Sequence, residues 1–169
     1  MNLQRKYRKA LETLVYLANK DDRNYWILKT IYFADKEHLR RYGRQIFDDD
    51  YRAMKLGPVP SLAYDIVKCV RGNGYYTFNN PDPNTALFVP DNYTITARRG
   101  PDMGLLSPSD IECLDYAYNT IKGLSFVQLK DMSHDGAYNA VDENEEMTIE
   151  SIIATLDNGE EIMDYLHGE

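Results

Sequence analysis

Asp35 and His38 form the only acid–histidine pair in this chain that a helix would set one turn apart on an apolar face. A carboxylate beside an imidazole can move a proton, so general acid–base chemistry is the first role the spacing allows. Other features of the sequence limit it. No Ser or Cys nucleophile is marked by a turn motif. A metal centre would need a third and a fourth ligand of comparable placement. The remaining histidines, His134 and His167, stand in helix-end or tail contexts with no HExxH spacing. Two other roles fit the same pair: contact with a partner, or a buried polar pair hydrogen-bonded to backbone or tyrosine, as interiors require. No catalytic residue, metal ligand or cofactor is assigned.

The second feature is the turn Gly57-Pro58-Val59-Pro60. It is neither GxxxxGK[ST] nor GxGxxG, and proline has no N–H to offer an anion, so phosphate binding is not expected. Its expected work is a rigid reversal between a strand and a helix. The cysteines, Cys69 and Cys113, belong to no CxxC or Cys/His cluster, as in a reduced cytoplasm. The charged, helical N-terminus has no signal-peptide core, and no apolar run approaches the roughly 18 residues of a membrane span. A cytoplasmic protein is expected.

These residues need elements to hold them. Tyr7, Leu11, Leu14, Val15 and Ala18 recur at helical spacing and predict a helix over about 3–19. A second is predicted over about 25–42, with Ile27, Ile31, Ala34, Asp35, His38 and Tyr42 on one face and Trp26 and Phe33 nearly opposite. Only Lys29, Lys36 and Arg40 make a clean polar strip, so this helix should be central. Gly43 supplies its stop. Alternation over Tyr51–Leu56 predicts a short strand that Gly57, Pro58 and Pro60 end, because prolines cannot sit inside a sheet. Ser61 is a cap candidate for a helix ending at Gly72. Residues 72–92 read as a long loop with at most a short strand at Tyr75–Phe78, and Tyr93–Arg99 is the best strand of the chain. Ser107-Pro108-Ser109-Asp110 and Ser125 start two further helices, and Asp157-Asn158-Gly159 separates two last ones over 147–156 and 160–166. The expected fold is α+β: a mostly helical single domain, with Tyr51–Leu56 and Tyr93–Arg99 as antiparallel partners in a small sheet of short strands.

The net charge of −8 is unevenly placed. Residues 1–41 hold ten Lys/Arg against five acids, whereas 142–169 hold ten acids and no Lys or Arg. Ile149, Ile152, Ile153 and Leu156 nevertheless give that acidic C-terminal segment an apolar helical stripe, expected to dock on its own domain at the basic first helix near Arg5–Lys9. The helix pair 107–132 has a helix-turn-helix outline, but its second helix offers only Lys130 beside Asp131 and Asp135, so DNA binding is not expected. The fourteen tyrosines favour protein recognition where they are exposed.

Three segments carry a family resemblance: YFADKEHLRRYG, YRAMKLGPVPSLAYDIV and LSPSDIECLDYAYNTIKGLSFVQLKDMSH. In that order they resemble the Panacea domain, the antitoxin family that includes SocA-like and GepA-like phage-associated proteins, from the first helix to about Val141. Two departures stand out. Asp-Gly-Ala-Tyr follows Ser133-His134 where the family tends toward a tryptophan-containing segment, and the 72–92 loop is longer than a minimal version. The resemblance implies a non-enzymatic antitoxin, encoded beside a toxin, that neutralises it by direct contact. It also implies an alternative, a proteolytic adaptor delivering the toxin to a AAA+ protease; an enzyme using Asp35 and His38 comes third. The partners implied are a cognate toxin and, for the adaptor, the protease. A homodimer stays open, and neither nucleic acid nor membrane is implied. Asp35, His38, Tyr51, Lys55, Gly57, Pro58, Pro60 and Tyr64 are assigned to partner binding or to the motif itself.

Overall fold

Apolar residues at helical spacing build α1 (Leu3–Ala18) and α2 (Asn24–Tyr42) in this computed structural model, which describes residues 1–168. The Asn2 side chain accepts from the Arg5 N–H to start α1, and Gly43 stops α2 at a left-handed φ of 69°. Then come β1 (Tyr51–Met54), β2 (Gly57–Pro60) and α3 (Ser61–Arg71). A long connection holds a 3-10 turn and two strands of two residues, β3 (Leu87–Phe88) and β4 (Thr96–Ala97). The chain continues through α4 (Pro108–Ile121), α5 (Phe126–Ser133), α6 (Gly136–Asn139), β5 (Glu146–Met147), α7 (Ile149–Ile153) and α8 (Gly159–His167). The result is a mostly helical α+β fold with small antiparallel sheets, ordered β2-β1-β5 and β3-β4.

α2 is the central element, as its apolar girth requires. On one side Ile27, Leu28, Ile31 and Ala34 pack with Leu11, Leu14 and Val15 of α1, Ile66 and Val67 of α3, and Leu114 and Ala117 of α4. On the other, Tyr32 and Leu39 pack with Tyr51 and Ala53 of β1, Ala137, Met147, Ile152, Ile153 and Ile162. Phe33 touches both clusters. At roughly 25 cal/mol per Å² of apolar area, two cores sharing one helix tie the stability of each to the other.

Several expectations change here. The partners of β1 are β2 and β5, not Tyr93–Arg99; of that segment only Thr96–Ala97 is strand, paired with Leu87–Phe88. Gly57–Pro60 is itself a strand. It tolerates Pro58 and Pro60 because it is an edge: Ser61 N–H donates to Asp50 O (2.8 Å), so positions 57, 59 and 61 face β1, and the missing N–H groups of 58 and 60 would point away. Tyr75–Phe78 forms no strand. Ser61 does not cap α3. Pro60 occupies the cap position, and the Asp49 carboxylate accepts from the Leu62 and Ala63 N–H groups (2.8 and 3.0 Å) instead. Ser107 and Ser125 do cap, each in a reciprocal capping box. Tyr42 is exposed, and Lys29, expected on the polar strip, is buried. The acidic segment docks through Met147, Ile152, Ile153 and Ile162, but on α2 and β1 rather than on α1. Tyr32 and Leu39 of α2, with Tyr51 and Ala53 of β1, supply the apolar surface that it covers, whereas the apolar face of α1 already packs on α2 and α3.

Candidate functional site

Asp35 and His38 point to different places. Asp35, buried on α2, accepts from the Ile46 N–H (2.9 Å), the Tyr51 hydroxyl (2.6 Å) and Gln45 Nε2 (3.3 Å). Burial pushes its carboxyl up, against these three donors. His38 Nδ1 lies 2.8 Å from the Arg44 carbonyl, which can only accept, so Nδ1 carries a proton. Its Nε2 is 2.9 Å from Ser109 Oγ and 3.3 Å from Asp110 Oδ1. Asp110 also pairs with Lys9 (2.7 Å). Burial would raise its carboxyl, but its contacts with His38 and Lys9 and the Ser107 N–H win and hold it well below the usual carboxylate range. The two residues thus anchor α2 to two different neighbours, Asp35 to the 45–51 connection and His38 to the start of α4. They share no hydrogen bond and form no proton relay. Among the described residues no group of His, Cys, Asp or Glu could hold a metal ion.

Tyr51 carries the Asp35 contact into the β1–β2 hairpin, where five of the eight sequence-assigned residues lie. Three alternate carbonyls of this hairpin are each held by a side chain from outside it. Tyr138 donates to Met54 O (2.7 Å), Tyr25 to Leu56 O (2.6 Å) and Lys29 Nζ to Pro58 O (2.7 Å). Lys29 is only 2% exposed and lies 4.8 Å above the Tyr25 ring; burial brings its ammonium down to about 7. Gly57 sits where a Cβ would come 2.5 Å from Ser133 Oγ, at a φ of 122° that side chains rarely adopt. His134 stacks on Tyr138 (centroids 4.1 Å apart) and completes the clamp.

Of the assigned residues, Tyr51, Gly57, Pro58 and Pro60 are buried within this hairpin, and Lys55 stands exposed at its tip beside Leu56. Tyr64 lies apart on α3, half-buried under the Lys68 ammonium (4.6 Å), in a groove of about 380 Å³ over the outer face of the sheet. Sequence reasoning missed Tyr25, Lys29 and Tyr138. Helical periodicity assigned Lys29 to solvent, and nothing local to it says that a hairpin will lie across that strip.

The model of the family described as "Antitoxin SocA-like, Panacea domain" matches residues 27–138, about two thirds of the chain. The chain belongs to this family. The matched stretch opens in α2, two residues before Lys29, and closes on Tyr138, so it spans the Panacea domain's hairpin and two of its three clamping side chains. α1 and the acidic segment fall outside it, a shorter reach than the resemblance suggested at the N-terminal end. No curated protein and no solved structure matches the chain.

Proposed function

We propose that this Panacea-domain protein is an antitoxin that neutralises a cognate toxin by direct protein–protein contact and catalyses no reaction. The observation that carries the reading is the clamped hairpin. A tip whose carbonyls are held at three points loses little conformational entropy on binding, so its contacts convert to affinity. Asp35 and Tyr51, both buried, act in this reading as scaffold at the base of the hairpin, His38 as the anchor of α2 to α4, and Lys55 and Leu56 as contacts. Co-expression with the product of the adjacent reading frame should rescue growth, and the two proteins should co-purify. Rescue with no physical complex would defeat neutralisation by contact.

One observation favours the adaptor as a second reading. Asp142, Glu143, Glu145, Glu146, Glu150, Asp157, Glu160, Glu161 and Asp164 are all exposed and make no ion pair among the described residues. Glu143, Glu145 and Glu146 run beside β1, but Asp157, Glu160, Glu161 and Asp164 lie at the C-terminal end of α2, where the Asn158 amide donates to the Arg40 carbonyl (2.9 Å), and so offer the separate surface that delivery to a AAA+ protease would need. In that case toxin levels fall when the protein is present and recover when the protease is removed.

A further inference from the structure

Around the hairpin tip the surface changes character. Tyr25 joins two elements there: its hydroxyl holds Leu56 O, and its ring packs on Phe126 of α5 at 4.8 Å. Trp26, the only tryptophan, stands edge-on to Tyr25 at 5.8 Å and lies under the Arg23 guanidinium at 4.2 Å. Leu56 is 42% exposed, Phe126 39% and Val127 62%. Partly exposed Trp, Tyr and Phe side chains on rigid backbone are the composition of binding hot spots.

The rim of this face is cationic on a chain of net charge −8. Lys55 neighbours Leu56. Lys130 follows Phe126 by one helical turn and so shares its side of α5. Lys122 is brought to Trp26 by the Arg23 guanidinium, which donates to the Lys122 carbonyl (3.0 Å). None of these three lysines makes an ion pair among the described residues, while Arg23 is already committed to Asp21 (2.6 Å). Asp131 is the one acid on α5, about 100° around the helix from Lys130. The Trp26 indole N–H is shielded and has no acceptor among the described residues.

We propose that this face docks an acidic segment of the toxin, with apolar side chains seated on Trp26, Phe126, Val127 and Leu56 and carboxylates meeting Lys55, Lys122 and Lys130. The inference rests on the toxin-binding reading and adds to it the place and the chemistry of the contact. A nucleic acid is the other polyanion such a rim could meet. Three lysines on a strongly acidic protein give it little of the long-range attraction that nucleic-acid binding requires.

The test is titration of the product of the adjacent reading frame into this protein, read by Trp26 fluorescence and by calorimetry at two salt concentrations. Docking should change the Trp26 emission. The pair Lys122→Glu and Lys130→Glu should weaken binding by about tenfold or more and flatten its salt dependence, since screened attraction is lost. Val127→Asp, at an exposed position that folding tolerates, should weaken it similarly. Arg5→Glu with Arg8→Glu makes the same change in net charge on distant α1 and should leave affinity unaltered. Wild-type affinity and salt slope in the lysine variant, or tighter binding by it, overturns this inference while the toxin-binding reading stands. Saturable quenching of Trp26 by a single-stranded oligonucleotide with no response to the protein also overturns it, as a nucleic-acid surface. No complex with wild type overturns both readings.

Discussion

Lys29 is the residue whose chemistry is most altered by the fold. Its ordinary value is 10.5 and burial brings it to about 7. Between those values the unfolded chain holds a proton that the folded chain does not, so raising the pH through the window favours the folded state. From pH 8 to pH 10 this linkage amounts to about 2–3 kcal/mol of added stability. Asp49, pushed up to about 7 by burial, has the opposite sign and a window that closes near pH 7. Denaturant midpoints of wild type should therefore rise from pH 8 to pH 10 relative to Lys29→Met; parallel pH profiles for the two proteins would show that Lys29 keeps its proton. Asp35 makes a different prediction. Asp35→Ala strands the Ile46 N–H and the Tyr51 hydroxyl in the interior, at a cost of about 1–3 kcal/mol each way of leaving a buried group unpaired. A lower melting temperature is expected. Unchanged stability with lost toxin binding would move Asp35 to the interface.

At the scale of elements, the hairpin depends on side chains that lie far from it in sequence. Tyr25→Phe with Tyr138→Phe removes two of the three carbonyl clamps without opening a large cavity. The expected outcome is a folded protein whose amides at 54–57 exchange hydrogen faster and whose toxin affinity falls, because ordering the tip must now accompany binding. If exchange at the tip stays slow, Lys29 and Gly57 alone hold it. The prolines of β2 make the same dependence visible. Read by themselves, Pro58 and Pro60 end a strand; on a sheet edge, at alternate positions, they cost the ladder nothing.

For the whole molecule, the acidic segment is structural on one side and free on the other. Ile152, Ile153 and Ile162 complete the core that Tyr32, Leu39 and Tyr51 begin, and β5 extends the sheet. Truncation after Val141 uncovers that core. Loss of solubility or a much lower melting temperature is expected, measured by light scattering during a thermal ramp. A truncated protein that stays folded and monomeric would make residues 142–169 a partner arm instead.

What is local in this chain was legible in its sequence. Capping boxes at Ser107 and Ser125, the stop at Gly43 and the central place of α2 all follow from hydrogen-bond needs and apolar spacing within a few residues. Three short motifs in order pointed to the family, since they sample residues 32–134 within the stretch its model matches. The tertiary structure alone decided which strands pair, where the acidic stripe lands and how the polar groups of α2 are spent. Asp35 and His38 look like a pair because they share a helix face, yet the surrounding loops offer each a separate set of donors and acceptors. Lys29 looks solvated because its helix phase says so, yet a hairpin closing across it provides an acceptor and excludes water. Pairing, docking and desolvation depend on groups distant in sequence, and a local pattern carries no information about which of them will arrive.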